Sequence, residues 1–188
     1  MTGDFQMDID AIARIDAVPT ILEVVCRITG MGFAAVARVT EDRWVACSVR
    51  DDIAFGLTPG SELKVETTIC NEIRNSREPV VIDHVAEDPA FRDHPTPALY
   101  GFQSYISVPI VLADGTFFGT LCATDPGPAV LKTRAATSMF KLFADLIAFH
   151  LDSTRRLAFS EASLLTERQG EELREQFLAV LGHDLRNP

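Results

Sequence analysis

The chain has 188 residues, 47% of them hydrophobic, and a formal charge of −10; this suffices for one buried core and an appendage but hardly for two full domains. The acidic balance excludes a nucleic-acid partner, because polyanion binding needs clustered Lys and Arg. No apolar run approaches the roughly 18–20 residues that span a bilayer, the opening MTGDFQMDID is acidic where a secretory signal is basic, and the four cysteines form no CxxC pair, so a cytoplasmic chain with reduced core thiols, no metal site and no membrane segment is expected.

Residues 1–14 read as a polar leader. Val18, Ile21, Leu22, Val25 and Ile28 then recur at intervals of three and four, predicting an amphipathic helix that Gly30 ends. FAAVARVT (33–40) and RWVACSVRD (43–51) predict a hairpin turning at ED, and LTPGSELKVE a loop. From Thr67 to about Asn75 a second helix should start on Thr67 or Thr68 and present Ile69, Cys70 and Ile73 on one face. PVVID is a short strand. Residues 87–101, with three prolines and little periodicity, form a long connection expected to cover something. Two further strands flank Asp114-Gly115, a strong hairpin dipeptide, with Pro109 marking an edge or bulge. PGP (126–128) breaks the sheet pattern, and helix is expected from about Val130.

This order predicts an α+β fold, an antiparallel sheet with flanking helices followed by a long C-terminal coiled-coil helix. The stretch TICNEIRNSREPVVIDHVAEDPAFRDHPTPALYGFQSYISVPIVLADGTFFGTLCATD carries a D-P-x-F loop, a Y-x-x-V-P-I strand and a G-x-L-C strand in succession. In this it resembles a GAF domain, a PAS-related sensory fold, over residues 15–150.

Beyond Met139 the apolar positions are Leu142, Phe143, Leu146, Ile147, Leu151, Leu157, Leu164, Leu165, Leu173, Phe177 and Val180. Their steps mix seven, nine and eleven, predicting a coiled coil with stutters and a parallel homodimer through the C-terminal helix. Residues 151–172 are thus a connecting helix, and 173–188 the start of another domain. That domain ends FLAVLGHDLRNP, in which His183 and Asn187 share a helical face and Asp184 adjoins the histidine. A neutral imidazole is a competent nucleophile near neutral pH, improved by a carboxylate at its other nitrogen. This run resembles the H-box of sensor histidine kinases in two-component systems. The resemblance implies His183 as phosphoacceptor, Asp184 as general base and Asn187 as a contact to ATP phosphates or magnesium. The chain reads as cut inside the dimerisation and phosphotransfer domain. It carries no Gly-rich phosphate loop or ATP-binding domain, so it should not phosphorylate itself; ATP and Mg would serve the full-length kinase, and a response-regulator receiver domain would take the phosphoryl group.

The GAF resemblance implies a pocket between the sheet and residues 66–101, where Phe91, His94, Tyr100, Phe102 and Tyr105 are the candidate lining for a small-molecule ligand of open identity. No cysteine precedes a histidine and no Asn-Lys pair occurs, which speaks against a covalent bilin and against cyclic nucleotides. Haem would need His84 or His94 as axial ligand. Two rival readings are a ligand-free dimerisation module and a thiol-dependent reductase, the second requiring Cys70 and Cys122 to meet across the fold.

Overall fold

A computed structural model describes residues 5–184, with side chains as far as 169 and at 171 and 174. Two compact units divide the chain, Met1–Leu151 and Asp152–Pro188.

The first unit is built on a six-stranded antiparallel sheet. Its strands are β1 (Phe33–Val39), β2 (Trp44–Asp51), β3 (Glu62–Leu63), β4 (Val80–Ile82), β5 (Ser104–Val111) and β6 (Phe117–Asp125), in the order β3-β2-β1-β6-β5-β4. Both hairpins expected from the sequence form, and the short β3 pairs with Trp44 and Val45 inside what reads as a loop. β1 and β6 are buried along nearly their whole length, because both sheet faces are covered. Alternate residues therefore feed two separate cores. Ala34, Val36, Ile106, Val108, Phe118 and Leu121 enter one, and Phe33, Ala35, Tyr105 and Cys122 the other. Pro109 lies beyond the Ser107 end of the β4–β5 pairing, where the outer edge of β5 carries no partner strand and a missing N–H costs nothing.

Three helical segments cover the first face. α2 (Ala17–Thr29) buries Val18, Ile21, Leu22 and Val25 as its period predicts, and Gly30, at φ 73°, closes it by donating its N–H to Cys26 O. Ile28 is exposed and Cys26 is buried in its stead, since a stripe of period 3.6 drifts away from position 28. Residues 5–13, read as polar leader, form helix α1 (Phe5–Ala13). It docks through the fully buried Ile12, a 2.9 Å ion pair from Arg38 Nε to Asp8 and the Arg43 guanidinium over the Phe5 ring. The third segment is the beginning of α5 (Arg134–Asp184), which starts where Thr133 Oγ1 accepts the Ala136 N–H, four residues later than expected. Here Ile147 and Leu151 are core residues and Phe143 packs against them. Of the five seam positions expected within this unit, Phe143, Ile147 and Leu151 therefore face the domain core, and Leu142 and Leu146 are exposed.

The second face is covered by α3 (Ile69–Ser76), which buries Ile69, Cys70 and Ile73, and by the segment after β4. The latter is not irregular throughout: α4 (Pro95–Tyr100) forms there, entered at His94 and left through Gly101 at φ 72°. Asp83 ties this face to the chain that leads into α5, its Oδ1 accepting both the Leu131 and the Lys132 N–H at 2.7 Å.

In the second unit the continuing helix exposes Leu157, Phe159, Leu164 and Leu165. Among the described residues no helix is long and apolar enough to cross a membrane. His183, Asp184 and Asn187 lie outside the residues whose side chains are described.

Candidate functional site: a thiol-floored cavity beneath α3 and α4

Between the second sheet face and the α3–α4 cover lies a cavity of about 50 Å³, walled by Phe33, Trp44, Phe55, Tyr100, Phe102 and Tyr105 and reaching Cys70 and Cys122. That volume admits a few water-sized molecules. A second depression of about 250 Å³ adjoins it and shares Phe55, Tyr100, Phe102 and Thr124. Aromatic contacts shape the wall, with Phe102 stacked on Tyr105 at 5.3 Å and Phe33 against Phe55 at 4.6 Å.

Of the five residues expected to line a pocket, Tyr100, Phe102 and Tyr105 come together at this cavity. Phe91 and His94 are placed in the cover and contact one another at 5.7 Å. His94 is engaged on both ring nitrogens: Nδ1 accepts the Thr96 N–H at 3.2 Å, capping α4, and Nε2 lies 2.8 Å from Glu72 Oε1 on α3. With Nδ1 accepting, the neutral ring carries its proton on Nε2 and donates to Glu72. His84 pairs with Glu87 at 3.1 Å. Neither histidine is presented to the cavity, and the described residues contain no cluster of metal-ligating side chains. Neither histidine is therefore placed at this cavity as an axial ligand for haem.

The floor of the cavity carries the polar chemistry. Cys70, on α3, receives the Thr120 hydroxyl at 3.2 Å and lies 3.3 Å from the Tyr105 hydroxyl. Cys122, on β6, lines the same cavity and donates its thiol hydrogen to Ala35 O at 3.6 Å; its neighbouring thiol chiefly holds the Cys70 thiol down, to about 6, against the burial that pushes it up, and Thr120, Tyr105 and Trp44 act in the same direction. Cys122 is correspondingly driven well above the usual thiol range, first by the neighbouring Cys70 thiol and then by burial. Burial, reinforced by the neighbouring sulfurs, likewise raises Tyr105 well above its ordinary value, so its hydroxyl stays protonated and donates. The Trp44 indole N–H completes no hydrogen bond, although it is buried and near enough to Cys70 to favour the thiolate. Cys26 and Cys47 lack such a shell: burial pushes them to about 11 and about 12.

All four cysteines are free and buried, as their apolar flanks predict. The sequence does not reveal that one of them sits among donors. Its only trace is the period-two spacing of Thr120 and Cys122, which puts them on one face of β6.

A six-stranded antiparallel sheet with helices on both faces and a cavity beneath one cover is the architecture of a sensory α+β module. The GAF domain family model matches residues 13–151, and the chain belongs to that family. No curated relative matches it. Among solved structures, the blue-light absorbing form of the Thermosynechococcus elongatus PixJ GAF domain has a TM-score of 0.66 at 12% identity, covering 88% of this chain and 98% of that one. The GAF domain of a two-component sensor histidine kinase from Bacillus halodurans has a TM-score of 0.58 at 11% identity, covering 76% and 96%. A type II free methionine-R-sulfoxide reductase from Thermoplasma acidophilum has 0.55 at 14%, covering 76% and 93%. At these identities the likeness is one of fold, and the fold serves signalling sensors and reductases alike.

Proposed function

We propose that this chain is the sensor and linker region of a cytoplasmic two-component histidine kinase. The GAF domain takes an input, α5 relays it, and His183 receives a phosphoryl group that passes to a response-regulator receiver domain. The observation that carries this reading is the continuity of α5. One helix, Arg134–Asp184, includes core residues of the sensor, such as Phe140 and Ile147, and runs as far as His183 and Asp184. A strain created in the domain core is thereby imposed on the first turns of the helix whose sequence leads to the acceptor.

In this reading α5 pairs with that of a second copy. Within the domain, Leu142, Leu146 and Phe149 are exposed at spacings of four and three. In the second unit, Leu157 and Leu164 are exposed seven apart. Apolar side chains left in water at such intervals gain by facing their equivalents in a parallel dimer. Asp184 serves as general base to the imidazole, and Asn187 contacts the ATP phosphates or magnesium brought by the kinase's own ATP-binding domain. The kinase-length protein supplied with Mg-ATP should acquire acid-labile phosphorylation that His183→Gln abolishes; phosphorylation persisting in that variant refutes the assignment.

A further inference from the structure

Two buried cysteines from distant parts of the chain line one cavity, which shares part of its wall with a second depression, and Thr120, two residues before Cys122 on β6, donates its hydroxyl to Cys70 at 3.2 Å. Around one of them converge a hydroxyl from Thr120, a hydroxyl from Tyr105 and the partnerless indole N–H of Trp44. Such a shell stabilises negative charge on sulfur, which apolar packing alone would oppose. Ordinary core cysteines show what happens without it, as Cys26 and Cys47 do. Phe55, Tyr100, Phe102 and Thr124 line both the cavity and the adjoining depression, and the cavity suits molecules of about the size of water.

We propose that Cys70 and Cys122 form a redox-active dithiol, and that hydrogen peroxide entering this cavity converts it to a disulfide linking α3 to β6. The Cys70 thiolate attacks one peroxide oxygen: an S–O bond forms, the O–O bond breaks, and the departing hydroxide takes a proton to leave as water. Cys70 is then a sulfenic acid. Cys122, which keeps its proton until this point, attacks the Cys70 sulfur; the S–S bond forms, the S–OH bond breaks, and the hydroxide leaves with the Cys122 proton as a second water. Two electrons pass from the sulfur pair to peroxide. The arrangement assigns the roles unequally: Cys70, with its donor shell, is the attacking residue, and Cys122 is the resolving one. The inference goes beyond phosphotransfer and stands without it, since every participating group belongs to the GAF domain.

The test treats the intact chain with hydrogen peroxide under native conditions and weighs it before and after alkylation in denaturant, the loss in mass being read before alkylation and the thiol count after it. The expected result is a loss of about 2 Da, a fall from four alkylated cysteines to two, reversal by dithiothreitol, and a peptide linking Cys70 to Cys122. Cys122→Ala should stop at a dimedone-reactive species heavier by about 16 Da, and Cys70→Ala should form neither product. Four thiols still free after treatment overturn the proposal, as does a disulfide that involves Cys26 or Cys47. Should Cys122→Ala not fold, the wild-type mass and the linked peptide decide the matter alone.

Discussion

Replacing Gly119 by Ala tests how tightly β1 and β6 must approach for the site to exist. A Cβ at this position would lie 1.8 Å from Ala37 O, 2.9 Å from Ala37 C and 3.1 Å from Arg38 Cα, all backbone atoms. A carbon–oxygen contact needs about 3.3 Å, so β1 would have to retreat by about 1.5 Å. Neither strand can yield by rotating a side chain, and both are central in the sheet. Overpacking of this kind costs about 1–3 kcal/mol, and losing one ladder hydrogen bond near the Arg38–Gly119 pair adds about 1 kcal/mol. A total near 3 kcal/mol lowers the melting midpoint by roughly 6–12 °C for a chain of this size. Thermal and urea unfolding followed by circular dichroism would measure it, with Gly127→Ala as control, whose Cβ meets an Asp125 side-chain oxygen at 3.3 Å. A Gly119→Ala midpoint equal to that of Gly127→Ala would refute the close-approach argument.

Three other outcomes follow from particular contacts. Ile12→Ala should destabilise the first unit by about 2–5 kcal/mol, because Ile12 is fully buried in the core; urea unfolding unchanged by the substitution would restore the polar-leader reading. Asp83→Ala should cost about 2 kcal/mol by orphaning the Leu131 and Lys132 N–H groups, whereas Asp83→Asn, which keeps an acceptor oxygen, should recover most of it; equal losses in the two variants would count against this role. Cys70 is held down from 9.0 to about 6 in the folded state, chiefly by the neighbouring Cys122 thiol, so the stability that its ionisation contributes is complete above about pH 9 and is lost as the pH falls through about 6. Cys122, pushed the other way, opposes this only above the ordinary thiol range. Urea midpoints should therefore fall from pH 9 to pH 6 in the wild type and much less in Cys70→Ala, and parallel profiles would sink the assignment.

What the sequence disclosed was local. The 3.6-residue stripe of α2, the Asp114-Gly115 turn and the alternation of the central strands are dictated by neighbours a few residues apart, and the sheet forms where they place it. Helix α1 was missed because its anchors are distant: Ile12 is a single buried residue, and the ion pair from Arg38 to Asp8 spans the interval between helix and sheet. α4 was hidden by its two prolines, which normally signal irregular chain but here occupy its first turn, where no N–H is required. In α5, Ile147 and Leu151 carry the same apolar signal whether they face a domain core or a second helix; only the finished sheet decides for the core.

The thiol site shows the same limit most sharply. Four cysteines lie in apolar runs, and burial alone would raise all of them; it does so for Cys26 and Cys47. Cys70 departs because strand register delivers donors to it. Thr120 and Cys122 share one face of β6, while β5 pairs Tyr105 with Thr124 and Ser107 with Cys122, so that Tyr105 rises on that same face. A slip of one residue would turn β6 over and present Leu121 and Ala123 in place of the hydroxyl and the second thiol. Gly119 allows β1 to close against β6 beside these residues, so the reactivity of Cys70 is a property of how strands pair and not of the residues flanking it. Displacing β6 at Gly119 should accordingly slow peroxide oxidation of the Cys70–Cys122 pair even in the fraction of protein that remains folded.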